Sequence, residues 1–215
     1  MRFATGTTLS GPPSYEWRMG LSRYWAAVVS AALVWGAGAA AAPSFLMQAS
    51  AKFQRLGQYW ISDDPSYDGA IRALGPPSSC HLVDSTASHV TASWRSLGVR
   101  MDLVTFGGLP AGKTGCTAPA SIHVSTVRVS GKQWFTSLKL RVGDPVAKLH
   151  RLYPRAAVTK GVRGWYGKGY WLVTRRGICF GDCGGATFQT VPVLVAETSE
   201  GRVSSIVFVV GAQGE

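Results

Sequence analysis

The chain has 215 residues, with 22 Lys+Arg against 11 Asp+Glu and a formal net charge of +11. Hydrophobic residues make up 46% and charged residues only 15%, which excludes a disordered polyelectrolyte. The 26 glycines follow no triplet period, which excludes a collagen-like rod, and the absence of Asn leaves no N-glycosylation acceptor.

Arg18 and Arg23 precede an apolar run over 24–35, followed by Gly36-Ala37-Gly38-Ala39-Ala40-Ala41-Ala42 and Pro43. A positive segment, an apolar segment and small residues in that order form a secretory signal, so residues 1–42 are expected to be a signal peptide cut after Ala41. The competing reading is an uncleaved anchor, but the strongly apolar part is about 12 residues long where a span needs ~20. No integral span is expected in the mature chain, and the expected location is secreted, extracellular or in the cell envelope. Cys80, Cys116, Cys179 and Cys183 all follow the signal, and an even count outside the cytosol points to disulfides. Of the three possible connectivities we expect Cys80–Cys116 and Cys179–Cys183, each within one half of the chain. Only His81 adjoins a cysteine and the spacing suits no zinc site, so no metal site is expected.

Residues 43–60 read as a linker or short helix. Asp68 stands as the cap of a short helix that Gly75-Pro76 stops. Strand-like runs follow at 80–83, 90–94 and 99–106, the last alternating Val99, Met101 and Leu103 with Arg100 and Asp102. Strands at 122–129 and 134–135 come next, then Asp144-Pro145 as the cap and first position of a helix carrying Val146, Leu149 and Leu152. Tyr153-Pro154 ends that helix. Strands at 169–173, 192–196 and 203–210 complete the chain, with Glu200-Gly201 marking a hairpin turn. His123 falls in a strand and His150 in a helix, and Asp63-Asp64-Pro65 reads as a turn or cap. The expected fold is therefore α+β: two tandem units over 61–130 and 131–215, each a short helix packed on an antiparallel sheet.

The stretches 70–76 and 140–154, the second running Leu-Arg-Val-Gly-Asp-Pro-Val-Ala-Lys-Leu into Tyr153-Pro154, carry a resemblance. The chain resembles the tandem helix-plus-sheet repeats of the β-lactamase inhibitor proteins and small outer-membrane assembly lipoproteins. Its C-terminal half, with a Val-Gly-Asp helix, a Tyr-Trp-Leu strand and a Gly-Arg-Val hairpin, is similar to secreted proteins of high-GC Gram-positive bacteria. The resemblance implies a binding or scaffolding module without an active site.

Two motifs point elsewhere. Residues 107–114 satisfy G-x-x-x-x-G-K-[ST], but Gly115-Cys116-Thr117-Ala118-Pro119 cannot open the helix that a phosphate loop needs, so no nucleotide is expected. Cys179-Phe180-Gly181-Asp182-Cys183-Gly184-Gly185 resembles the nucleophile loop of chymotrypsin-fold proteases. It would make the chain a cysteine hydrolase with Cys183 as nucleophile, His81 or His89 as base and Asp102 as orienting acid. Neither His lies in the sequence context of such a base, and oxidation of Cys183 by Cys179 would remove the thiolate.

The densest chemical feature is 160–176, with five cations and four aromatics in 17 residues. Arg163, Trp165, Tyr166, Lys168, Tyr170, Trp171, Arg175 and Arg176 are the candidate binding residues. Cations hold anionic groups and aromatic faces stack on sugars or bases. The competing reading is that alternation buries Tyr166 and Trp171 while the cations face water. The leading expectation is a secreted, non-catalytic binding protein that uses this basic aromatic surface on an acidic protein surface or anionic envelope polymer, without a cofactor. The hydrolase is the alternative.

Overall fold

The computed structural model describes residues 44–83, 89–105, 108–179 and 187–210, with the backbone alone described at 176–179 and 187–189. The described chain is dominated by strands. Three short ones, β1 (Leu46–Ala49), β2 (Gln54–Leu56) and β3 (Tyr59–Trp60), lead into helix α1 (Tyr67–Leu74). Then come β4 (Ser79–Leu82), β5 (His89–Trp94), β6 (Val99–Val104), β7 (His123–Val129) and β8 (Phe135–Thr136). Helix α2 (Val146–Leu152) precedes β9 (Ala157–Thr159), β10 (Gly169–Cys179), β11 (Thr187–Ser199) and β12 (Arg202–Val209).

These strands do not form two helix-on-sheet units, and the α+β expectation is corrected accordingly. Eight of them make one continuous antiparallel sheet in the order β4-β5-β6-β7-β12-β11-β10-β9. The join is β7 with β12, where Thr126–Val129 pairs against Ile206–Val209. Left apart, those two strands would each present a row of unpaired N–H and C=O groups, and pairing removes both edges. The other strands form a second sheet, β3-β2-β1-β8, in which β1 runs parallel to β8. Residues 46–60, expected as a linker or short helix, thus supply most of that sheet.

The main core lies between the small sheet with both helices and one face of the large sheet. Val90, Ala92, Trp94, Val99, Met101, Leu103, Val127, Val129, Leu194, Ala196, Ile206 and Phe208 cluster with Met47, Leu56, Tyr59, Ile61, Ala70 and Leu149. Burying each of the Val, Leu, Ile, Phe and Met side chains among them contributes roughly 1.5–3 kcal/mol. Gln54 on β2 fastens the two sheets: its buried amide donates to the carbonyls of Val193 (3.1 Å) and Val209 (2.8 Å).

Local signals explain the helix ends, with two corrections. Ser66, not Asp68, caps α1, because its Oγ accepts the Gly69 N–H at 2.9 Å. Asp68 instead pairs with Arg72 one turn on. At α2 the N-cap is Pro145, and Asp144 accepts the Arg141 N–H (2.7 Å) and the Lys148 ammonium (2.7 Å). The turn at Glu200-Gly201 forms as expected, both residues at positive φ (52° and 72°). Cys80 and Cys116 are disulfide-bonded, tying edge strand β4 to the long β6–β7 connection. Cys183 lies outside the described residues, so the proposed Cys179–Cys183 bond does too. No helix among the described residues is long and apolar enough to cross a membrane.

Candidate functional site

The second face of the large sheet is where polar chemistry gathers. Strand alternation that sends Val99, Met101 and Leu103 to the main core sends Arg100 and Asp102 the other way. Register then sets neighbours. Asp102 lies opposite Thr91 on β5 and Thr126 on β7, and Arg100 lies opposite Arg128. Like charges facing each other across a strand pair are unfavourable, and each guanidinium turns to its own carboxylate.

Arg128 is held tightly. Its Nε and Nη2 donate to Glu197 at 3.1 and 2.9 Å, a two-point pair whose side chains are 29% and 14% exposed. Glu197 also accepts from the Ser205 hydroxyl and, at 2.6 Å, from the Gly167 N–H. Burial pushes the Glu197 carboxyl up, but the hydrogen bonds from Arg128, Ser205 and Gly167, together with the Arg128 charge, outweigh it and hold it below its ordinary value. The hydrogen-bonded Glu197 raises Arg128 above its ordinary value against the opposing effect of burial.

The contact between Asp102 and Arg100 is loose. Asp102 accepts the Thr91 hydroxyl at 2.9 Å and the Thr126 hydroxyl at 3.0 Å. Arg100 reaches it only through Nη2 at 3.5 Å, and the Arg100 side chain is 54% exposed against 12% for Asp102.

The segment between β9 and β10 folds over this face. Val162 and Tyr166 close a tight turn by mutual backbone bonds (2.8 and 3.1 Å). Gly161, at φ 88°, lets the turn close: a Cβ there would stand 2.7 Å from the Gly167 carbonyl carbon. Tyr166 is buried with Val195, Val207 and Val209, and Trp165 and Trp171 pack against that cluster. The Trp165 carbonyl accepts from Arg128 at 3.4 Å, and the Gly167 amide reaches Glu197, so the turn has an apolar and an ionic anchor. Between turn and sheet lies a cleft of about 430 Å³, lined by His89, Thr91, Arg100, Asp102, Arg128 and, from the turn, Arg163 to Gly167.

The eight candidate binding residues do not form one surface. Arg163, Trp165 and Tyr166 line the cleft. Lys168 is exposed next to the turn but outside the lining. Tyr170 turns to the main core, its ring 4.8 Å from His150 of α2 in an edge-on contact. Trp171 returns to the Tyr166 cluster, its indole N–H buried without a partner among the described residues. Arg175 is half-buried and donates to the Val210 carbonyl at 3.3 Å, and burial draws it below its ordinary value. The Arg176 side chain lies outside the described residues. Arg100, Asp102, Arg128 and Glu197 join the site by sheet pairing; alternation in 99–103 marks the first two as sharing a face, but nothing local links them to Arg163.

For the hydrolase alternative, Cys183 lies outside the described residues. His81 and Asp102 sit in one row of the sheet with Thr91 between them. Among the described residues the bonds of Asp102 run to Thr91, Thr126 and Arg100, not to an imidazole. After Thr114 the chain makes a turn into Cys116 instead of a phosphate-binding helix. Among the described residues no group of three or more His, Cys, Asp or Glu is placed to hold a metal ion. No protein-family model, curated protein or solved structure matches the chain, so its functional reading rests on the geometry of the site.

Proposed function

We propose that this is an exported, non-catalytic binding protein that grips an acidic partner in the cleft between the 161–167 turn and the large sheet. The observation that carries the reading is the pairing of charge at that cleft. Arg163 has no ion pair among the described residues, Arg100 has only a loose one, and both line the same opening beside Trp165. Cations left open to water next to an aromatic face suit an anionic ligand better than they suit the fold's own stability. Removal of residues 1–42 takes away Arg2, Arg18, Arg23 and Glu16 and leaves a charge of +9, which steers acidic partners toward the molecule over about one Debye length, ~8 Å at physiological salt.

The test is a titration of the full chain with polyglutamate and with polygalacturonate, read by tryptophan fluorescence at low and high salt. Binding of either polymer that weakens with added salt, and weakens again in Arg163→Gln, is the expected result. Binding of neither, or binding indifferent to salt and to Arg163, refutes the proposal.

A further inference from the structure

We infer that the cleft takes a carboxylated sugar, a uronate-type residue of an acidic glycan. This rests on the reading of the cleft as an acid-binding site and adds the chemistry of the ligand. The lining is not uniformly positive. Arg163 and Arg100 supply donors for a carboxylate. On the same strand as Arg100, two residues on, stands Asp102, an acceptor whose bonds come from two neutral hydroxyls and one 3.5 Å contact with Arg100. A carboxylate offers about four acceptor positions, so Asp102 retains capacity toward the cleft that it lines.

A ligand that satisfies this lining brings an acid at one end and hydroxyl or similar donors at the other. A simple polyacid fails the second requirement, because its carboxylates would meet Asp102 in a site of reduced exposure, where like charges repel strongly. A uronate ring meets both: its carboxylate pairs with the guanidiniums, its ring hydroxyls donate to Asp102, and its C–H face lies against the half-buried Trp165. The volume of about 430 Å³ falls at the lower end of small-ligand sites, enough for one or two rings. The lining includes Val83 and Val162, each about half exposed, so solvent reaches the cleft and a polymer need not end inside it.

The experiment compares three probes on the full chain by calorimetry at fixed ionic strength: trigalacturonate, its methyl ester, and a triglutamate peptide. Trigalacturonate is expected to bind at least tenfold more tightly than either of the others, because the ester lacks the charge and the peptide lacks the hydroxyls. Asp102→Asn is expected to weaken trigalacturonate by roughly 10-fold, the loss of one hydrogen bond to a charged group, and to leave triglutamate unchanged or stronger. Triglutamate binding as well as trigalacturonate, with no effect of Asp102→Asn on either, overturns the sugar inference and leaves the acidic-partner reading standing. Binding of no probe overturns both. The comparison of trigalacturonate with triglutamate uses the parent protein alone, so it decides the question even if Asp102→Asn fails to fold, and equal binding of the acid and its ester overturns the acidic-partner reading.

Discussion

Glu197→Ala removes the acceptor that ties the 161–167 turn to the sheet. The carboxylate receives four bonds: two from Arg128, one from the Ser205 hydroxyl and one from the Gly167 N–H. Truncation leaves a guanidinium 29% exposed and an amide without their partner. Breaking a fully buried pair costs about 3–5 kcal/mol, and an exposed pair is worth at most about 1 kcal/mol. Arg128 can rehydrate in part, which places the expected loss near 2–3 kcal/mol, a large share of the roughly 5–15 kcal/mol that holds a typical domain. With a urea slope of about 2 kcal/mol per molar, the unfolding midpoint should fall by ~1–1.5 M. Arg128→Met alone should also destabilise, and the double variant should lose less than the sum, with a coupling of roughly 1.5–3 kcal/mol. Trp165 emission should shift toward that of a solvent-exposed indole in Glu197→Ala, since both anchors of the turn meet there. A stability change below about 0.5 kcal/mol, or strict additivity in the cycle, would show that this pair behaves as an ordinary surface pair and would refute the latch.

The same carboxylate predicts a pH dependence. Glu197 is held below its ordinary value, as is Asp64, mainly through its bond from the Ser66 hydroxyl. Stability from such groups is complete above the ordinary carboxylate range of about 4 and is lost as pH falls through the lower native values. Urea midpoints should be flat from neutrality to about pH 5 and fall below that, with a shallower fall in Glu197→Ala; an identical slope in both proteins would count against the assignment. Replacing Cys80 and Cys116 together by Ser opens a loop of sequence separation 36 and should cost about 4 kcal/mol by the chain-entropy relation, checked by the same urea series. An unchanged midpoint would show the bond to be dispensable. Gly169→Ala places a Cβ on the Ala196 carbonyl oxygen and 2.8 Å from the Glu197 Cα. It should cost about 1–3 kcal/mol by forcing β10 from β11, and full tolerance would mean the register there is wrong.

How much of this was legible in the sequence depends on how far each signal reaches. Strand-like runs located β5, β6, β7 and β12, and the alternation in 99–103 put Arg100 and Asp102 on the face opposite Met101. Pro and Gly punctuation placed the helix ends within a residue or two, though not the capping side chains. The two-unit expectation failed because each half's pattern is local, whereas the pairing of β7 with β12 joins strands about 80 residues apart and depends on no motif in either. Strands β1, β2 and β3, of four, three and two residues, are too short to show any period. Segment 160–176 reads as one surface in the sequence because its chemistry is contiguous along the chain. Alternation in β10 splits it, sending Tyr170 to one core and Trp171 to the other.

The sheet face carries two Arg–carboxylate pairs side by side, built differently enough to have different tasks. Arg128 and Glu197 meet at two points, are mostly enclosed, and receive two further donors, one of them a backbone amide of the overlying turn. That arrangement leaves Glu197 little capacity for a ligand and fixes the turn. Arg100 and Asp102 touch at one point, at 3.5 Å, and Arg100 remains more than half exposed. If both pairs served only stability, the looser one would gain little from its position, since an exposed contact of that length contributes next to nothing. Its location on the floor of the cleft, below a turn that the tighter pair anchors and beside Arg163, which has no ion pair among the described residues, makes sense as a recognition surface held open by its neighbour. Loosening the Glu197 latch should therefore weaken ligand binding without removing a single ligand contact. Glu197→Ala and Asp102→Asn should part in unfolding experiments, where the first loses far more than the second, while both lose affinity for the uronate probe.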